Sequence, residues 1–175
     1  LYSYYRSSAA YRVRIGLNLK GLSYDYVQVH LLKEGGQQLT KAYQQINPQQ
    51  LIPTLEDENG IICQSLAILE YLEERYPNPS LLPSDLTARA WVRGFALAIA
   101  CDIHPMQNLR VGKYLMHDLS ISDAQKKQWV CHWVQLGFNA LETQLANNPH
   151  SGDFCYGAFP TFADVCLVPQ VYSAK

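Results

Sequence analysis

Three prolines within seven residues, Pro77, Pro79 and Pro83, divide this 175-residue chain into two stretches of different pattern. Proline fixes φ and has no N–H, so neither a helix nor a strand ladder runs through such a segment. Ahead of it, residues 1–5, 23–32, 51–56 and 61–63 are short, apolar and rich in aromatic or β-branched residues, and read as strands. Residues 39–46 read as a short helix ended by Asn47 and Pro48. Residues 65–76 read as a longer one, with Leu66, Leu69, Leu72 and Tyr76 on one face and Glu70, Glu73, Glu74 and Arg75 elsewhere. Behind the prolines only helical patterns remain. Residues 85–103 are apolar on most faces and should end or kink at Pro105. Ser122 and Gln125 match a capping box ahead of Trp129, Trp133, Leu136 and Ala140, and Thr161 with Asp164 opens a last apolar helix. The expected organisation is an α/β domain at 1–76, a linker at 77–84 and an all-α domain at 85–175.

Residues 11–19 are ambiguous. Their period-two alternation favours a strand. As a helix they carry two apolar stripes, Tyr11, Ile15 and Leu19 on one side and Ala10, Val13 and Leu17 on another. Ser7 and Ser8 before them and Lys20-Gly21 after them supply cap-like ends.

The composition excludes several classes. A net charge of -1 gives no drive toward nucleic acid or an anionic membrane. No apolar run reaches the ~18 residues of a membrane span, and no signal peptide is visible. The five cysteines are odd in number and none has CxxC spacing, which argues against a disulfide framework or a metal site. They read as small buried thiols in a reducing cytoplasm. The chain opens without methionine in a strand pattern and ends in a helix pattern. It reads as part of a longer polypeptide, its helical domain incomplete.

Four strings in order carry a family resemblance. Tyr4-Tyr5-Arg6-Ser7-Ser8-Ala9-Ala10-Tyr11-Arg12-Val13-Arg14-Ile15 is similar to the signature of zeta-class glutathione transferases, in which two serines precede a run ending in Arg-Val-Arg-Ile. Gln64-Ser65-Leu66-Ala67-Ile68 resembles that family's helix-opening glutathione motif. His104 to Leu109 and Ala163 to Val171 match further stretches. The resemblance implies a thioredoxin-like α/β N-terminal domain followed by an all-α C-terminal domain, with residues 11–19 helical. It also implies a homodimer, glutathione as cofactor, and cis–trans isomerisation of a maleyl-type dicarboxylate such as maleylacetoacetate or maleylpyruvate.

That chemistry needs a soft nucleophile that adds to a double bond and leaves again. A free thiol has a pKa of ~8.5, so the protein must favour the anion. A helix N-terminus and a hydroxyl donor do so. The resemblance assigns this role to Ser7, with Ser8 and the amides of Ser8 and Ala9 beside it. Read without the resemblance, Ser7 or Ser8 is an N-cap. The resemblance further implies glutathione contacts at Gln38, Ile52, Pro53 (its peptide bond cis), Gln64, Ser65, His104 and Asn108. Arg6, His104, Leu109 and Arg110 are the implied substrate contacts, arginine suiting a carboxylate. For each arginine a solvated surface charge is the alternative, and for His104 a structural histidine. Ala9 and Ala10 depart from relatives that carry Cys, Thr or Ser at these positions. Two other functions stay open: a broader transferase that conjugates or dehalogenates small electrophiles such as alpha-halo acids, and a non-catalytic binding protein on the same fold.

Overall fold

Two strands that run parallel need a crossover between them, and this requirement resolves the ambiguous segment. In a computed structural model describing residues 1–175, β1 (Tyr2–Ser3) pairs in parallel with β2 (Val27–Gln28), with Tyr2 opposite Val27. The crossover is helix α1 (Ser8–Leu19). The period-two alternation of residues 11–19 is therefore a coincidence of composition. The stripe Ala10, Val13 and Leu17 is buried, while Tyr11, Ile15 and Leu19 are half-buried.

The sheet has the order β2-β1-β3-β4. β3 (Thr54–Asp57) is antiparallel to β1, with Thr54 opposite Tyr2, and to β4 (Gly60–Cys63), with Thr54 opposite Cys63. Helix α2 (Lys41–Ile46) precedes β3, and α3 (Ser65–Arg75) follows β4. The expected strand at 23–32 shrinks to two residues. Its only ladder partner, β1, is itself that short, and β2 is an edge strand with Val27 43% exposed.

Helices α1 and α3 are joined at three levels. Arg12 reaches Ser65, Gly16 meets Leu69, and Lys20 pairs with Glu73. Each pair steps one helical turn along both helices, so the two run parallel with their N-termini at the same end. A Cβ on Gly16 would lie 2.4 Å from Leu69 Cδ2, so a larger residue here would force the buried Leu69 side chain to shift. Lys20 Nζ lies 2.7 Å from Glu73 Oε2 and also donates to the carbonyls of Tyr76 (2.7 Å) and Pro79 (2.9 Å). Glu73 also accepts from Ser80 Oγ and from the Leu81 amide. Chain ends of α1 and α3 and the proline segment are thus tied at one buried ion pair.

The first compact unit spans Leu1–Leu82 and the second Pro83–Lys175. The second unit is helical throughout: α4 (Leu86–Leu97), α5 (Leu109–His117), α6 (Asp123–Asn147) and α7 (Phe162–Ala174). The long helix expected over 85–103 is α4 followed by π-helical turns at Ala98–Ile103 and a 3-10 turn at His104–Gln107. The register loosens ahead of Pro105, which has no N–H to give. The capping boxes form as read. Ser122 accepts from the Gln125 amide and Gln125 from that of Ser122. Asp164 accepts from the amide and hydroxyl of Thr161 and from the Cys155 amide. The expectation of five buried thiols holds only for Cys155 and Cys166; Cys63 is half-buried, and Cys101 and Cys131 are exposed. Their apolar neighbours in sequence lie on other faces of their helices. No helix is long and apolar enough to cross a membrane.

Burial alone would push the Glu73 carboxyl up. Hydrogen bonds from Lys20, Ser80 and Leu81, with the Lys20 charge, hold it below the usual glutamate value. A carboxylate with a depressed folded pKa stabilises fully above the unfolded value of about 4.3 and loses this as pH falls through the folded value. Urea melts should therefore show wild-type stability declining in that window, and a Glu73→Gln variant declining less. Lys20→Met, which strands a buried carboxylate, should cost about 3–5 kcal/mol.

Candidate functional site

An α-helix leaves its first four N–H groups without intrahelical partners and carries partial positive charge there. In α6 and α7 this end is met by an acid in the first turn, Asp123 and Asp164, and in α4 by Asp85 at the N-cap. α1 and α3 have none. Their N-termini lie at the same end of a parallel pair, with Arg12 between them. Arg12 is 1% exposed, and its Nη1 donates to Ser65 Oγ at 3.3 Å. A guanidinium stays charged at any physiological pH. Two helix ends and a buried cation make this end of the first unit a place for anions.

Ser7 is the N-cap of α1. Its backbone is extended (φ -82, ψ 114) and its Oγ accepts from the Ala10 amide at 3.2 Å, while its carbonyl accepts from the Tyr11 amide at 2.8 Å. A hydroxyl that accepts still has its own hydrogen to donate. Capping and donation to a bound anion are therefore compatible in one residue. The Ser7 amide closes a turn on the Tyr4 carbonyl at 3.0 Å. That turn exposes Tyr5 and Arg6 and leaves Ser8 and Ala9, the first two helical residues, half-buried.

Gln64 is the N-cap of α3, at φ 75 and ψ 122, and its side chain turns away from the helix to donate to Gln49 Oε1 at 2.6 Å. Ser65 is the first helical residue, and its hydroxyl is engaged by Arg12. No side chain caps α3, so its leading amides are left for another acceptor.

The Ile52–Pro53 peptide is cis and both residues are buried. A polar network beneath holds the segment. Tyr43 Oη donates to the Leu51 carbonyl at 2.8 Å, and Asn47 Nδ2 donates to the same oxygen at 2.7 Å. Thr54 Oγ1 lies 3.0 Å from Tyr43 Oη. Burial pushes the Tyr43 phenol up, so it remains a donor at physiological pH. Gln38 is 6% exposed, and its Oε1 is buried without a hydrogen-bond partner.

In the second unit, His104 opens the 3-10 turn and is half-buried. Asn108 caps α5, its Oδ1 accepting from the Arg110 amide at 3.1 Å. Leu109 and Arg110, in the first turn of α5, are exposed. The sequence reading missed Arg12, Tyr43 and Asn47. Arg12 left a trace, since a charge interrupts the otherwise apolar and small residues of α1 that face inward. Among the cysteines, Cys63 lies against the network of Tyr43, Asn47 and Thr54, its Sγ 3.9 Å from Thr54 Oγ1; burial pushes the Cys155 thiol well up, with Asp164 adding to it.

The family model for the N-terminal domain of glutathione S-transferase matches residues 1–80. The probable maleylacetoacetate isomerase of Vibrio cholerae is 49% identical over 175 residues, all of this chain and 80% of that protein. A maleylpyruvate isomerase of Ralstonia is 45% identical over all of this chain and 82% of its own length. The holo structure of a maleylpyruvate isomerase, a bacterial zeta-class glutathione S-transferase, superposes with a TM-score of 0.95 at 45% identity, over 99% of this chain and 81% of that one. A maleylacetoacetate isomerase from Methylobacterium extorquens, solved with malonate and glutathione bound, gives a TM-score of 0.93 at 40% identity, over 98% and 79%.

The capping bond at Ser7 has a measurable weight. Ser7→Ala should lower stability in urea melts by about 1 kcal/mol, Ser7→Gly by only a few tenths, and Ser7→Asp hardly at all.

Proposed function

The chain belongs to the zeta class of the glutathione S-transferase family, and on that premise we propose that it is a glutathione-dependent cis–trans isomerase of maleylacetoacetate or maleylpyruvate. The observation that carries the reading is the pair of helix N-termini flanking Arg12 with no acid in their first turns, α3 without a side-chain cap and α1 capped by the Ser7 hydroxyl. The residues present fit the tripeptide. It brings carboxylates for the open amides of α3, and a backbone that can supply a donor to the orphaned Oε1 of Gln38.

Glutathione, when bound, supplies a thiolate that adds to the cis double bond and departs after the bond has turned. The Ser7 hydroxyl donates to the sulfur, and the first amides of α1 add their partial charge. Together they lower the free energy of the anion over the thiol, a charge-assisted hydrogen bond contributing about 1.5–3 kcal/mol. Gln64, Ser65 and the amides behind them hold the γ-glutamyl end. The backbone of Ile52, ahead of cis Pro53, pairs with the cysteinyl backbone as a further strand would. Arg6 in the first unit and His104, Leu109 and Arg110 in the second are the proposed substrate contacts, and Asn108 a further proposed glutathione contact. The family's homodimer and a cytoplasmic location complete the proposal.

The test is an ultraviolet assay with each maleyl substrate, with and without glutathione. Isomerisation that requires glutathione is expected; turnover without it overturns the reading. Rapid conjugation of a halo acid without isomerisation would make the protein a general transferase instead. Ser7→Ala should lower kcat/KM about 10–100-fold. Ser7→Asp keeps the cap but sets a carboxylate beside the sulfur, so it should melt normally and lose still more activity.

A further inference from the structure

His30 lies just past β2, ahead of the loop that leads to Gln38. Its Nδ1 accepts from two backbone amides, Leu32 at 3.1 Å and Lys33 at 3.0 Å. A ring nitrogen that accepts carries no proton, so the neutral ring holds its proton on Nε2. Nε2 lies 3.3 Å from Tyr4 Oη and therefore donates to it. The backbone of His30 is tied as well: its amide donates to Gln37 Oε1 at 2.7 Å, and its carbonyl accepts from the Gln37 amide at 2.8 Å.

The loop closed by these bonds runs against backbone preference. Glu34, Gly35 and Gly36 have φ of 55, 82 and 116. A left-handed non-glycine residue is unfavourable, and ordering such a loop loses conformational entropy, so fixed bonds must hold it. A Cβ on Gly36 would lie 2.7 Å from Gln38 Nε2, so the Gln38 amide rests directly on the loop backbone. At the other end of the chain of contacts, Tyr4 is 3% exposed and packs with Ala10 and Ile52. These belong to the first turn of α1 and to the cis peptide.

We infer that His30 is a positioning residue for glutathione binding: its ring fastens the 31–37 loop to the core through Tyr4 and so holds Gln38 in place. The inference rests on the function proposed above. The hydrogen bonds of His30 go to Tyr4, Gln37 and the amides of Leu32 and Lys33 rather than to Ser7, so its signature is affinity rather than turnover.

Isothermal titration with glutathione and steady-state kinetics test this on the whole protein, with amide hydrogen exchange over residues 31–37. His30→Ala should weaken glutathione binding about tenfold, raise KM for glutathione alike, leave kcat at saturation within about twofold, and speed exchange in the loop. His30→Asn should recover most of the affinity, since its Oδ1 can accept from the same two amides. Tyr4→Phe removes only the outer bond and should weaken binding about threefold. Unchanged binding in His30→Ala, a fall in kcat with unchanged affinity, or an Asn variant no better than Ala would overturn the inference. Should His30→Ala not fold, Tyr4→Phe decides: unchanged affinity and unchanged exchange overturn it. Wild-type protein that binds no glutathione would remove the proposed function itself, and this inference with it.

Discussion

The parallel clasp of α1 and α3 is the constraint on which the first unit depends. Parallel neighbours set two helix dipoles side by side, an arrangement with no electrostatic reward of its own. The chain stabilises one end with Lys20, whose ammonium meets the carbonyls at the C-terminal end of α3 and the buried carboxylate of Glu73. At the other end it adds a buried arginine to two positive helix termini. Gly16 sets the spacing in between. One end is satisfied by the protein, and the other is left for a ligand's negative charge.

Around that open end the supports are side chains that face inward. Tyr43 and Asn47 hold Leu51 ahead of the cis peptide, and His30 holds the loop that seats Gln38. Each spends its polar atoms on backbone groups that no helix or sheet would satisfy. The reactive hydroxyl does similar double duty. Ser7 accepts within the protein and keeps its hydrogen for the ligand, so the alternatives of cap and functional group describe one residue.

Periodicity made the regular helices legible. α3 matches its reading to within a residue, and the boxes at Ser122 and Thr161 stand where their spacing put them. The same approach failed where a partner set the outcome. Residues 23–32 alternate well enough for a strand, yet β2 is only as long as β1 allows. Residues 11–19 alternate too, but parallel pairing of β1 with β2 demands a helix there. Cys101 and Cys131 look buried in a linear string and are exposed, because helical neighbours in sequence point in different directions.

Ser7, Gln64 and Ser65 were recognisable from local strings, since a cap and a helix start are written within a few residues. The partnership of Arg12 with Ser65, of Lys20 with Glu73, and of His30 with Tyr4 joins positions far apart in the chain. By itself the sequence determined the α/β-then-α order, the span of α3 and the capped starts of α6 and α7, because propensity, capping and proline act over a turn or two. Only the tertiary structure decided which helix ends stay open and which charges lie buried between them, because those depend on atoms that folding alone brings together.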